Sequence, residues 1–576
     1  MVRSILCGIA AYILMMAGLN SMGLVGPDEP RYADVARAMH TSGDYITPRL
    51  FGELWFEKPP LYYWLAATAF HLGVSEFAAR LPSALFALMF LGNWYWFARR
   101  FRGERAAQWS CLILATSLGW IGFSRAAAMD MLLTTTLSAS LAFFAVWWLG
   151  DAANTPSQQD VSHLHSKRPI WALYAFYAML ALATLAKGPL AVGLAGLVVL
   201  ACILHRRDWS LIRQMLITPA VALYGLIALP WYVLCYMQNG WPFIEEFFIR
   251  HNFQRFTSGE IIGHPQSVWF YFYVLPAAIY PWTPLLLIAS LWGLVWAIRG
   301  GGHSVGGDPK LALLLYWVAL PFIFFSLAEN KLPGYLLPLL PPLSLLLAGT
   351  LVDSDHSESS APSAMPATWR KTAVVLTAAT LLLVPLFSWI LPETLAAGLT
   401  DAIQQASRLG WWSSITNSSI PLQLWGVVIL LIAGAMVLAW RGLLLEAGGT
   451  IGLAVCACLL GLLIYLTPTV NGIASVRNVA DRAVSLGIEP QQMGVLYLHR
   501  SQVYGLGFYL GGGLKDWDPD NPADNSPFIA ARDDFHVDEM RPGAQSLAIF
   551  PLQHLRLWAL PVSGEDALPA SAAFHK

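Results

Sequence analysis

Runs of apolar residues about as long as a bilayer is thick recur along this chain, from its first residues to about residue 468. A membrane span needs roughly 20 apolar residues to cross the hydrocarbon core. Within that core every backbone amide must bond inside the segment, so such runs commit the chain to helices. The pattern predicts about thirteen spans, opening at 5–24, 81–98, 107–123 and 131–150 and closing at 422–440 and 447–468. Hydrophobic residues make up 56% of the chain and charged residues only 12%, a balance that excludes an ordinary soluble globule. A net charge of −1 gives no basic surface for nucleic acid. The first segment lacks a small-residue cleavage site and runs straight into Pro27-Asp28-Glu29, so it reads as an uncleaved helix. Cys7, Cys111, Cys202, Cys235, Cys456 and Cys458 all fall in apolar runs, where thiols act as small hydrophobes.

Basic residues mark the cytoplasmic loops of membrane proteins. Arg3, the RRFRGER loop at 99–105, Lys167-Arg168, Arg206-Arg207, Arg299, Arg370-Lys371 and Arg441 fall in alternate loops. This predicts an inner N-terminus and an outer C-terminus. The opposite loops (25–80, 124–130, 238–267, 329–333 and 392–421) mix acids with bases. Charge at membrane depth is costly unless paired or hydrated, so this mixture predicts a water-filled cavity opening outward.

The first outer loop, 25–80, is too long for a connector. RYADVARAMH and PPLYYWLAATAFHLG read as short amphipathic helices on the membrane surface, with an extended GDYITPRLFGELWF segment between them. A second long loop, 238–267, carries FFIRHNFQRF, and the Ser-rich stretch 353–369 reads as a flexible connector. Composition changes near 470. The expected division is a transmembrane catalytic domain, 1–469, and a small α/β domain, 470–576, with strands at MGVLYLH and SLAIFPL and a helix at SQVYGLGFYLGG. No motif in the second domain carries assignable chemistry.

Chemistry gathers in the first loop, where PDEPRY at 27–32 is followed by EKPP at 57–60. Arg31, Lys58, Lys187 and Arg255 are cations of the kind that grip phosphate. Asp28, Glu29, Glu57 and Asp130 are carboxylates that can act as a base, steady developing positive charge or hold a metal. His251 and Tyr335 join them as candidates. Both groups on one face suit a reaction on a lipid-linked phosphate whose tail stays in the bilayer. Plainer parts remain open. Asp28, Glu29 and Asp130 stand where helix N-caps do, and Glu57 with Lys58 makes a possible surface ion pair.

Taken together, PDEPRY, GDYITPRLFGELWFEKPPLYYW, FAARLPSALF, SRAAAMD, LAKGPL, ALPWY and SLAENKLPGYLLPLLPPL resemble the ArnT family of aminoarabinose transferases. That family lies within the GT-C lipid-linked glycosyltransferases, alongside the protein O-mannosyltransferases. The resemblance implies an all-α polytopic membrane fold of about thirteen helices plus a periplasmic α/β domain, in the bacterial inner membrane. It implies transfer of 4-amino-4-deoxy-L-arabinose from undecaprenyl phosphate to lipid A phosphate, a lipopolysaccharide modification that gives polymyxin resistance. By motif match it implies Asp28 and Asp130 as catalytic acids, with Glu29 beside them. Lys58, Arg255 and Arg31 would sit at the donor phosphate, Lys187 and Tyr335 in the substrate cavity, and Glu57 with His251 at a divalent metal, zinc or magnesium. Two alternatives stand: the same scaffold with another sugar or acceptor, as in protein O-mannosylation, and a membrane transporter. A transporter would carry paired broken helices and a repeat, and neither is apparent.

Overall fold

The computed structural model describes residues 2–150, 168–254, 266–301, 308–352, 365–385, 422–512, 514–518, 526–550 and 553–561. Among these, eight helices are long and apolar enough to cross a membrane. Two bent pairs, Glu104–Thr116 with Leu118–Ser124 and Phe270–Ile279 with Thr283–Arg299, bring the number to ten. Three further helices overlie expected spans without meeting that measure: α1 (Val2–Met16), α4 (Glu76–Arg102), whose ends are charged, and Leu190–Arg206. The connector expected at 353–369 lies mostly outside the described residues, as does the loop at 392–421.

One helix organises the bundle. In α7 (Asp130–Leu149), 94% of the apolar window is buried, against 22% for Pro219–Asn239. Its sequence explains why neighbours approach closely: Thr134, Thr135, Thr136, Ser138 and Ser140 are small. Thr135 and Thr136 donate back to Met131 O (2.9 Å) and Leu132 O (2.6 Å), and Ser140 donates across to Phe176 O at 3.0 Å. This helix packs on α4, on α8 (Ile170–Lys187) and on the 3₁₀ turn Pro333–Leu339. Asp130 at the head of α7 is thereby set among elements carrying Arg80, Lys187 and Tyr335.

The first loop folds much as its sequence predicts: α2 (Asp28–Ser42), a hairpin of β1 (Arg49–Leu50) and β2 (Glu53–Leu54), then α3 (Leu61–Ala69). The first of these, α2, docks on protein. This helix is sandwiched by protein, packing against both α3 and the C-terminal helix α9 (Arg500–Leu510), with Tyr32, Ala33, Asp34, Val35 and Ala36 buried.

A buried ion pair fastens this loop to the bundle. Arg80 Nε and Nη2 lie 2.9 and 2.7 Å from the two oxygens of Glu29. Glu29 also accepts from the amides of Val25 (2.9 Å) and Ala127 (2.7 Å), while Arg80 donates to the carbonyls of Leu19, Met22 and Gly23. Both side chains are almost fully buried, at 8% and 3% exposed.

Beyond residue 474 lies a five-stranded sheet in the order β4-β3-β5-β7-β6. β3 (Met493–Leu496) runs parallel to β4 (Lys515–Asp516) and β5 (Phe528–Arg532), and β7 (Leu555–Ala559) runs antiparallel to β5 and to β6 (Gln545–Phe550). The helix expected at SQVYGLGFYLGG is α9, closed by Gly511 in the left-handed conformation (φ +97°).

Removing one partner of a buried pair strands the other charge, at a cost of about 3–5 kcal/mol. Glu29→Ala should therefore markedly lower the thermal unfolding midpoint of the detergent-purified protein. Asp28→Asn one residue earlier, at a half-exposed carboxylate, should leave it nearly unchanged.

Candidate active site

The first loop brings four of its charges into one row. Arg31 Nη2 is 2.5 Å from Asp28 Oδ1, Arg31 Nη1 is 3.0 Å from Glu57 Oε2, and Lys58 Nζ is 3.2 Å from Glu57 Oε1. Glu57 and Lys58 are 6% and 13% exposed, so they are no surface pair, whereas Asp28 keeps 48% of its side chain exposed. The N-cap positions are Pro27 for α2 and Met129 for α7, so Asp28 and Asp130 each stand one residue inside their helix, and each pairs with a cation.

Arg31 is caged by rings. Its Cζ lies 4.9 Å from the centroid of Tyr32, 5.4 Å from Trp55 and 5.9 Å from Tyr504. Burial opposes its charge, but Tyr32, Glu57 and Asp28 outweigh burial and raise its pKa, so it is a permanent cation. Around this row several buried polar atoms have no hydrogen-bond partner among the described residues: Arg31 Nε, Trp55 Nε1, Tyr63 Oη and His251 Nδ1. Buried polar groups are nearly always satisfied. Such atoms also occur in the packed bundle, at Trp120, Thr134 and Trp317, so what sets this place apart is the row itself, cations and carboxylates in direct contact beside a half-exposed acid.

A second group forms where α7 begins. Lys187 Nζ is 2.5 Å from Asp130 Oδ1 and 4.8 Å from the centroid of the Tyr335 ring. These three residues, far apart in sequence, meet because α8 ends at Lys187 and the Pro333–Leu339 turn packs on α7. Gly334 allows the approach: a Cβ there would stand 2.8 Å from Phe123 Cε1 and 3.0 Å from Asp130 Oδ1.

The remaining candidates divide. Glu29, expected among the catalytic acids, is turned into the Arg80 clasp, where both its oxygens are engaged; it anchors the loop that carries Asp28. His251 lies on the π-helical segment Ile244–Gln254, near enough to Glu57 and Lys58 for both to influence its ionisation. Arg255 lies outside the described residues. Sequence reading did not single out Arg80, Trp55, Tyr63 or Tyr504. For Arg80 a signal existed, an arginine entering an apolar span, where charge demands a partner. For Tyr504 none did, because its partner lies at the other end of the chain.

This architecture has known counterparts. The family model described as dolichyl-phosphate-mannose-protein mannosyltransferase matches residues 1–241. An Edwardsiella ictaluri protein, named undecaprenyl phosphate-alpha-4-amino-4-deoxy-L-arabinose arabinosyl transferase, is 33% identical over 330 residues, covering 56% of this chain and 54% of its own. A Pseudomonas paraeruginosa protein of the same name is 32% identical over 350 residues, covering 60% and 58%. The chain spans little more than half the length of these curated relatives. The crystal structure of ArnT from Cupriavidus metallidurans bound to undecaprenyl phosphate matches with a TM-score of 0.75, over 97% of this chain and 98% of that one, at 24% identity. The chain shares the fold of that ArnT structure along almost its whole length. It carries the small C-terminal sheet domain expected from its sequence.

Whether the chain holds a metal at Glu57 and His251 turns on its donors. Both Glu57 oxygens already face cations, and His251 Nε2 lies 3.0 Å from Glu246 Oε1. No group of three or more His, Cys, Asp or Glu gathers among the described residues, whereas zinc takes three or four protein ligands. The donor set does not fit a zinc centre, and Glu57 is engaged by Arg31 and Lys58 instead.

Burial, the largest influence, holds His251 below the ordinary imidazole value; Lys58 adds to this, while Glu57 and Glu246 oppose it. The unfolded chain thus takes up this proton at a higher pH than the folded one, so stability falls as pH drops below about 6.5. Between about pH 7.5 and pH 5 the wild type should lose more thermal stability than His251→Gln, as measured by unfolding midpoints across that range.

Proposed function

We propose that this protein transfers 4-amino-4-deoxy-L-arabinose from undecaprenyl phosphate to a phosphate of lipid A, at the periplasmic face of a bacterial inner membrane. The observation that carries this reading is the largely buried Arg31–Glu57–Lys58 row beside a half-exposed acid, Asp28. The activity in the names of the Edwardsiella and Pseudomonas relatives supports it.

In this reaction the bond from the sugar's anomeric carbon to the donor phosphate oxygen breaks. Undecaprenyl phosphate leaves with the electron pair, and a lipid A phosphate oxygen bonds to the same carbon. The transition state has oxocarbenium character, as in glycosyl chemistry generally. Lys58 and Arg31, with Arg255 as the expected third cation, neutralise the departing phosphate. The acceptor is already an anion and needs no general base. Asp28 then steadies positive charge at the sugar, on its ring or its amine. Asp130, Lys187 and Tyr335 shape the sugar side of the cavity.

The family model matched over residues 1–241 favours one other reading, transfer of a sugar to a protein hydroxyl. There Asp28 would serve as the base. Mass spectrometry of lipid A from cells with and without the gene separates the two: the first reading expects a gene-dependent pentosamine on lipid A phosphate, and its absence favours the second. Asp28→Asn should abolish transfer in either case while leaving the protein folded.

The proposed orientation puts the N-terminus in the cytoplasm, residues 470–576 in the periplasm as a separate domain, and the 1–469 bundle in the membrane. Alkaline phosphatase fused after residue 470 should be enzymatically active. An inactive fusion, with a fusion at residue 104 active instead, would invert the topology.

A further inference from the structure

The row of charges in the first loop depends on a residue far outside it. Arg31 is the hinge of that row, since it touches both Asp28 and Glu57. Two rings of its cage, Tyr32 and Trp55, belong to the first loop; the third, Tyr504, comes from α9 of the C-terminal domain. The approach of α9 is specified in detail. Arg37 on α2 donates to Phe508 O at 2.9 Å. Tyr509 Oη accepts from Leu24 N at 2.8 Å and donates to Glu76 Oε1 at 2.9 Å. A Cβ at Gly507 would stand 2.2 Å from Phe51 Cε1, so only glycine lets the helix come this near the hairpin. The Phe51 ring in turn lies 6.0 Å from the Tyr504 ring.

We propose that Tyr504 is a positioning residue for the transfer site: its ring fixes the Arg31 guanidinium in the orientation that bridges Asp28 and Glu57, so the C-terminal domain completes the site. A guanidinium between two carboxylates can slide toward either. Rings on its faces restrict it to one plane, and ring quadrupoles hold the cation without competing for its N–H groups. Tyr504 thus leaves Arg31's donors to Asp28, Glu57 and a donor-lipid oxygen. The inference rests on the transferase reading given above.

The test compares wild type with Tyr504→Phe, Tyr504→Met, Arg31→Lys and the double variant Arg31→Lys/Tyr504→Met, all as full-length protein in nanodiscs. Phenylalanine keeps the ring and should keep transfer within about twofold of wild type. Methionine keeps the bulk without the ring and should lower kcat roughly threefold to thirtyfold, with a smaller change in donor KM. The double variant should be no slower than Arg31→Lys alone, because Tyr504 acts only through that guanidinium. Full activity in Tyr504→Met, or losses that multiply in the double variant, would overturn the proposal. Should Tyr504→Met fail to fold, Tyr504→Leu replaces it. If wild type transfers no aminoarabinose, the transferase reading fails. The positioning role is then judged on undecaprenyl phosphate binding by the same variants: weaker binding in Tyr504→Met, but not in Tyr504→Phe, supports it, and equal binding overturns it.

Discussion

The Glu29–Arg80 pair is the constraint on which the rest of this structure depends. Two charges buried this deeply lose more hydration than their attraction alone returns, unless their remaining hydrogen-bonding capacity is filled. Here it is filled by backbone from two segments: the carbonyls of Leu19, Met22 and Gly23 with the amide of Val25, and the amide of Ala127. The pair therefore acts as a junction. Asp28 is adjacent to Glu29, and Asp130 begins the helix just past Ala127, so both exposed acids of the candidate site are referenced to one rigid point.

The two polar groups around that junction share a physical design. In each, a cation touches a carboxylate and an aromatic face: Arg31 with Asp28, Glu57 and its ring cage, Lys187 with Asp130 and Tyr335. Carboxylate and ring both attract the cation and hold it in place. A site with such cations meets an anionic leaving group already charged and oriented, with little reorganisation left to make.

Local patterns in the sequence carried the fold further than the site. Hydropathy alone locates most of the helices, because a span must satisfy its backbone internally wherever it lies. PDEPRY and EKPP come together in one row of charges, and the strands at 493–496 and 545–550 fall where apolar runs had placed them. The separate fates of Asp28 and Glu29 were not legible. Consecutive residues on a helix point about 100° apart, so one faces Arg31 and the other Arg80, and nothing in the dipeptide says which. The amphipathic character of α2 likewise suggested a lipid surface, since periodicity reports that a face is covered and not by what. Tyr504 lay hidden for the same reason: its meaning comes from tertiary contact with a helix near the other end of the chain.

That contact joins the beginning of the chain to its end. Leu24 N and Tyr509 Oη are bonded across 485 positions, and Gly23 N and Asn471 Oδ1 across 448. During synthesis the first loop emerges early and must wait, with its amides and Arg37 unmatched, until residues beyond 470 have been made. Contacts of such long range form late. The fold thus reports on its own completeness: a chain released early contains every residue of PDEPRY and EKPP, yet cannot close the cage around Arg31. The cage closes only once the sheet domain has been made.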